Sequence, residues 1–213
     1  MILRHWVPSL ICSCRRYLIV VGLIFAGASA AAPQASDVKD IMEHMAHLRP
    51  LVGTWDADYE FHNRDGTVDI VEPGTFKVSW VLDNTYLEIQ TEHHRPEDPS
   101  RYWTYFTFIT YDPVTMKYVC TFFYGRWSQR VTEDGVFDER TKELRTIGLV
   151  SLEDGKRDEH VRNIYRLTGT DAPTVIHYSR YSDESSERMD LVIKLRRSEK
   201  PPTKSSTESK QHG

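Results

Sequence analysis

Residues 51–62 read L-V-G-T-W-D-A-D-Y-E-F-H, and the fold is decided there. Trp55, Ala57, Tyr59 and Phe61 share one parity while Asp56, Asp58, Glu60 and His62 take the other, the period-two pattern of a strand with one face in a core and one in water. On the N-terminal side, Val38, Ile41, Met42, Met45 and Leu48 fall three or four apart. That spacing predicts one short helix, with Asp37 as its N-cap and Pro50 as its stop. On the other side period two continues. Phe76, Val78, Trp80 and Leu82 alternate, aromatic-rich strands are expected over 103–111 and 118–124, and further strands at 67–72, 86–92, 127–131, 143–151, 160–167, 174–181 and 188–196. Asp65-Gly66, Asp83-Asn84, Asp112-Pro113, Asp134-Gly135, Asp154-Gly155, Gly169-Thr170-Asp171 and Asp183-Glu184-Ser185 punctuate these runs. None leaves room for a crossover helix, so consecutive strands pair antiparallel. About ten such strands leave two open edges unless the sheet closes on itself. The expected fold is mainly β: a single antiparallel up-and-down barrel of about 8–10 strands with a short N-terminal helix. A two-sheet sandwich is the competing architecture, disfavoured because no long Greek-key connection is visible.

Four segments in order along the chain carry a family resemblance. L-V-G-T-W at 51–55 follows a short helix and opens the first strand, W-V-L-D-N-T-Y-L-E occupies 80–88, F-I-T-Y-D-P-V-T-M-K-Y-V occupies 108–119, and R-M-D-L-V-I-K-L-R-R at 188–197 ends the last strand. Together with the Gly and Asp turns, these resemble a bacterial domain-of-unknown-function family with a lipocalin-like (calycin) β-barrel, over about residues 44–197. Thr110 departs from the family pattern, which often has Gly before the Tyr-Asp-Pro turn. The resemblance implies that Trp55 packs at the closed end of the barrel under an arginine from the last strand, Arg196 or Arg197, with Gly53 permitting the close approach. These would be residues of a structural barrel floor.

The ends read differently from the middle. Residues 1–30 hold Arg4, Arg15 and Arg16 and no acid, then an apolar run from Tyr17 to Ala28 and the small-residue stretch Ala28-Ser29-Ala30. That order is expected of a cleavable signal peptide over 1–30. The rival, an uncleaved anchor, needs roughly 18 or more apolar residues. Arg15-Arg16 hints at twin-arginine export, although adjacent arginines also serve as plain positive flank. Residues 198–213 carry no large apolar side chain, two prolines and many Ser, Thr and Lys, the composition of a disordered tail. Between them, 37–197 is expected to be one barrel domain, long enough for a continuous core.

Charge and cysteines bound the partners. The formal charge is −4; without the three arginines of 1–30, 24 basic residues face 31 acidic ones, near −7, so no nucleic-acid partner is expected. Cys12 and Cys14 fall within the signal, leaving Cys120. One thiol makes no internal disulfide, and its alternation with Tyr118 and Phe122 marks it as a buried strand residue. The expected location is exported, periplasmic or secreted, with no membrane span after cleavage.

Seventeen of 24 aromatic residues lie between Trp55 and Trp127, a density that suits an apolar pocket in which Tyr105, Tyr111, Tyr118 and Tyr124 orient a guest. The alternative is that the same rings fill the core. His177, in V-I-H-Y-S-R-Y, is a further candidate ligand-binding residue. Some calycin-like barrels hold haem through a late-strand histidine, which makes haem at His177 an option, but no cofactor is expected. His44 and His47 share a helix face without a placed third ligand, so the pair reads as a solvated helix face and no metal site is expected. His93 and His94 read as a surface turn. G-x-S-x-G, H-E-x-x-H, a P-loop and G-x-G-x-x-G are all missing, and no catalytic residue is assigned. Asp56 and Asp58 share one strand face, read as exposed, and 154–162 reads as a solvated hairpin. The sequence therefore leads to an exported, non-catalytic barrel that binds a small apolar or amphipathic molecule. A barrel enzyme, favoured by polar residues gathered inside, and a cell-envelope interaction module, favoured by a filled interior and an exposed aromatic patch, are the alternatives.

Overall fold

A computed structural model describes residues 35–125, 130–151, 158–167 and 172–198. The signal-peptide reading of 1–30, the tail beyond Ser198, Trp127 and the turns at 154–155 and 169–171 lie outside the described residues. Helix α1 (Ala35–Met45) runs into a 3-10 turn (Ala46–Leu51), followed by ten strands: β1 (Gly53–His62), β2 (Val68–Val81), β3 (Tyr86–Arg95), β4 (Asp98–Asp112), β5 (Lys117–Tyr124), β6 (Arg130–Asp138), β7 (Glu143–Ser151), β8 (Asp158–Arg166), β9 (Thr174–Tyr181) and β10 (Arg188–Arg197). Each strand pairs antiparallel with its sequence neighbours, and β1 pairs with β10, so the sheet is a closed up-and-down barrel with no free edge. No described helix is long and apolar enough to cross a membrane.

Several local expectations give way. Helix α1 begins at Ala35, so Asp37 lies in its first turn and is not its N-cap. The segments 67–72 and 76–82 are one strand: the β2–β3 ladder begins at Gly74, so Pro73, which has no N–H to donate, sits just beyond it and pairs only with β1. Asp134-Gly135 is not a turn. Asp134 points outward to Lys117 (2.8 Å) and Gly135 inward against Thr146, so alternation runs through β6, and the chain reverses at 139–142, where Asp138 Oδ1 accepts from the amides of Arg140 and Thr141 (2.9 and 3.1 Å). His93 and His94 do not form a surface turn either, because β3 continues to Arg95.

The interior is layered along the barrel axis. At one end Met45, Leu48 and Leu51 are fully buried and plug the opening. Trp55 closes this floor: its indole N–H donates to the Leu51 carbonyl (2.7 Å), and the Arg197 guanidinium lies 4.3 Å above its ring while bonding the Val52 carbonyl. Gly53 has φ +143°, and a Cβ there would stand 2.1 Å from an Arg197 nitrogen. Arg196, one residue earlier, points out of the barrel to Asp58. At the other end, the mouth, register shifts interrupt the ladders at Phe61/His62, His94/Arg95 and Met189/Leu191.

Candidate functional site: the barrel cavity

Between floor and mouth the barrel is hollow. An inner chamber of about 250 Å³ is walled by rings and aliphatic chains including Tyr59, Phe76, Ile89, Phe122, Tyr165 and Ile193. It continues into a mouth chamber of about 350 Å³ bounded by Asp69, Arg95 and Trp103, and the two share Phe61, His93, Tyr105 and Tyr124 as a throat. Tyr105 and Tyr124 meet edge to face at 5.2 Å.

The expected tyrosines therefore divide. Tyr105 and Tyr124 line the cavity, whereas Tyr111 and Tyr118 belong to the floor, beneath α1. His44 stacks on Tyr111 with centroids 3.8 Å apart, and the Tyr118 hydroxyl donates to the His44 carbonyl (2.7 Å) and lies 3.2 Å from His47 Nδ1. This also corrects the reading of His44 and His47 as a solvated face: both are half-buried clasps, His47 reaching Glu139 at 2.7 Å. The tyrosine pattern was misread because period two reports which face a residue occupies and not its depth along the axis.

His177 faces inward and lines the inner chamber. Directly across the β8–β9 ladder is Asn163, whose Oδ1 is 2.9 Å from His177 Nδ1. The Asn163 amide donates to both carboxylate oxygens of Glu133 (3.0 and 2.9 Å), and the Thr146 hydroxyl donates to Glu133 as well. Since the Asn163 NH₂ is committed to a carboxylate, its oxygen must accept from His177 Nδ1–H. The imidazole is then held in the tautomer whose Nε2 is an acceptor. Burial favours the neutral ring by lowering the His177 pKa below the ordinary histidine value. Burial also raises the Glu133 carboxyl above the usual range, its two hydrogen-bonding partners pulling the other way. Gly148 makes room for Glu133: a Cβ there would come within 2.6 Å of Glu133 Cγ.

A second polar pair sits at the throat. Glu72 and His93 are 3% and 2% exposed, with Nδ1 2.5 Å from Oε2. The His93 ring stacks between Tyr59 and Tyr105, centroids at 4.5 and 5.6 Å. Arg95 approaches the other Glu72 oxygen at 3.6 Å from the mouth. Desolvation lowers the His93 pKa, outweighing the opposing effect of Glu72. Asp190 also lines the inner chamber, held by Arg188 (2.7 Å) and the Ser179 hydroxyl. Cys120 is fully buried and its thiol pKa is pushed up by that burial, so it lacks the exposed thiolate of a nucleophile.

Sequence reasoning missed Glu72, His93, Glu133, Asn163 and Asp190. The available signal was parity: Leu87, Ile89, Thr91 and His93 lie on one face of β3, and Val131, Glu133 and Gly135 on one face of β6. Among the described residues no group of three or more His, Cys, Asp or Glu side chains is arranged to hold a metal ion. A profile of the family described as Protein of unknown function (DUF1579) matches residues 41–197. No curated protein matches the chain.

Proposed function

This chain belongs to the DUF1579 family of proteins of unknown function, and from its barrel we propose that it binds a small amphipathic molecule without transforming it. The observation that carries this reading is the cavity: an aromatic and aliphatic wall around a few fixed polar groups, the arrangement of a small-molecule site. The volume restricts the guest to a small one, since the inner chamber, about 250 Å³, falls just below the roughly 300–1,000 Å³ usual for ligand pockets. The wall would shelter an apolar body, and His177 Nε2 would accept a hydrogen bond from the guest's polar end. Export is part of the same proposal, supported by the basic, apolar and small-residue order of residues 1–30.

A second reading rests on Glu72 and His93. A carboxylate that fixes an imidazole through Nδ1 leaves Nε2 as a base, which is the arrangement of general acid–base catalysis. Binding is preferred because rings and aliphatic chains make up most of the inner chamber's wall. Native mass spectrometry of the protein purified from its source, repeated after denaturation, tests the proposal. A stoichiometric small guest, released unchanged, is expected. Reproducibly empty protein would overturn the binding reading, and a guest recovered as a chemically altered product would favour the enzyme.

A further inference from the structure

The inner chamber has a one-sided charge. Glu133 and Asp190 line it, while no Lys or Arg is among the described residues of its wall; Glu72 and Arg95 both belong to the mouth chamber. Asp190 has Arg188, and Glu72 has His93 and Arg95. Glu133 is different. It is 2% exposed, and its hydrogen-bonding partners among the described residues are the neutral Asn163 and Thr146, with no ion pair. His177 does not supply the missing charge, because its Nδ1 is turned to Asn163 and its Nε2 has no hydrogen-bonding partner among the described residues. A buried carboxylate without a counter-charge is costly, and it borders a chamber lined by the rings of Tyr59, Phe76, Tyr124 and Tyr165.

We propose that the guest is a small organic cation, a protonated amine on an aromatic or aliphatic body, with its ammonium group seated against Glu133. The inference deepens the binding reading and rests on it. An ammonium brings donors only, and the chamber offers acceptors: the carboxylate of Glu133 and Nε2 of His177. Tyr124 and Tyr165 line the same chamber as Glu133, and aromatic walls favour ammonium groups through cation–π contact. A carboxylate-headed guest, by contrast, would place like charge beside Glu133 and Asp190 in a low-dielectric space.

The test is isothermal titration calorimetry of the purified protein with three probes of one shape and different charge: 2-phenylethylamine, 2-phenylethanol and phenylacetate. The amine is expected to bind at least about tenfold tighter than the alcohol, and the acid most weakly, for a buried charge pair. In Glu133→Gln the preference for the amine over the alcohol should be lost. If the alcohol matches the amine, or the acid binds best, the cation inference is overturned and the binding reading stands. If none of the three binds, both fall. An amine preference that survives unchanged in Glu133→Gln would overturn the seat at Glu133 and trace the preference to the acidic exterior. Should Glu133→Gln fail to fold, the wild-type ranking alone decides whether the guest is cationic.

Discussion

Trp55 concentrates several interactions in one side chain. It is 4% exposed, donates to a backbone carbonyl and carries a guanidinium on its ring. Truncation to Ala is expected to cost about 3–5 kcal/mol of unfolding free energy, as for a large buried aromatic. Urea denaturation checks this; a loss of binding with stability unchanged would contradict the floor role. His177 makes a pH prediction. Its folded-state pKa lies below the ordinary value near 6.5, so between those two values the unfolded chain binds more protons. Stability is therefore fully present above about pH 6.5 and is lost as pH falls toward the folded-state pKa. The groups acting on the ring are Asn163 from β8 and Arg188, Asp190 and Glu187 beside or on β10. The drop in melting temperature between pH 7.5 and 5.5 should be smaller in His177→Gln than in the wild type, and an equal or larger drop would show that His177 does not carry the dependence.

Elements show which signals survive translation from sequence to structure. The β1 alternation was legible because its inward positions are all apolar or aromatic and its outward positions polar. In β6 the inward positions include Glu133 and Gly135, so hydrophobic period vanishes exactly where a polar group serves the cavity, and Asp134-Gly135 imitates a turn. His93 was hidden for a related reason: E-H-H-R-P-E-D-P has loop composition, but ladder pairing with β4 carries β3 through it. Helix α1 supplies the test at this scale. Tyr118→Phe removes the hydroxyl that joins β5 to His44, expected to cost about 1 kcal/mol for one hydrogen bond. Hydrogen exchange should quicken within residues 35–45 while affinity for 2-phenylethylamine stays within twofold. A large loss of affinity would place Tyr118 in the binding site rather than in the floor.

For the whole molecule, closure does what a disulfide does in many small exported domains. Each described strand has two partners, and the single described cysteine is buried and free. Barrel topology was readable because it follows from turn spacing and the need to remove edges. The cavity was not, since strand count bounds the interior width but side-chain volumes and depth determine whether it fills. The interior that results is neither wholly apolar nor a dense polar cluster: rings and aliphatic chains surround separate polar groups, Glu133–Asn163–His177 and Asp190 on the inner chamber and Glu72–His93 at the throat. The central claim is that a guest enters this space. Methyl-resolved NMR of the protein titrated with 2-phenylethylamine tests it most directly, because Ile89 and Ile193 line the chamber whereas Ile147 and Leu149 are exposed. Shifts confined to Ile89, Ile193 and the other chamber methyls of Val175 and Leu191 are expected; shifts at Ile147 and Leu149 instead, or none anywhere at saturating probe, would contradict the claim.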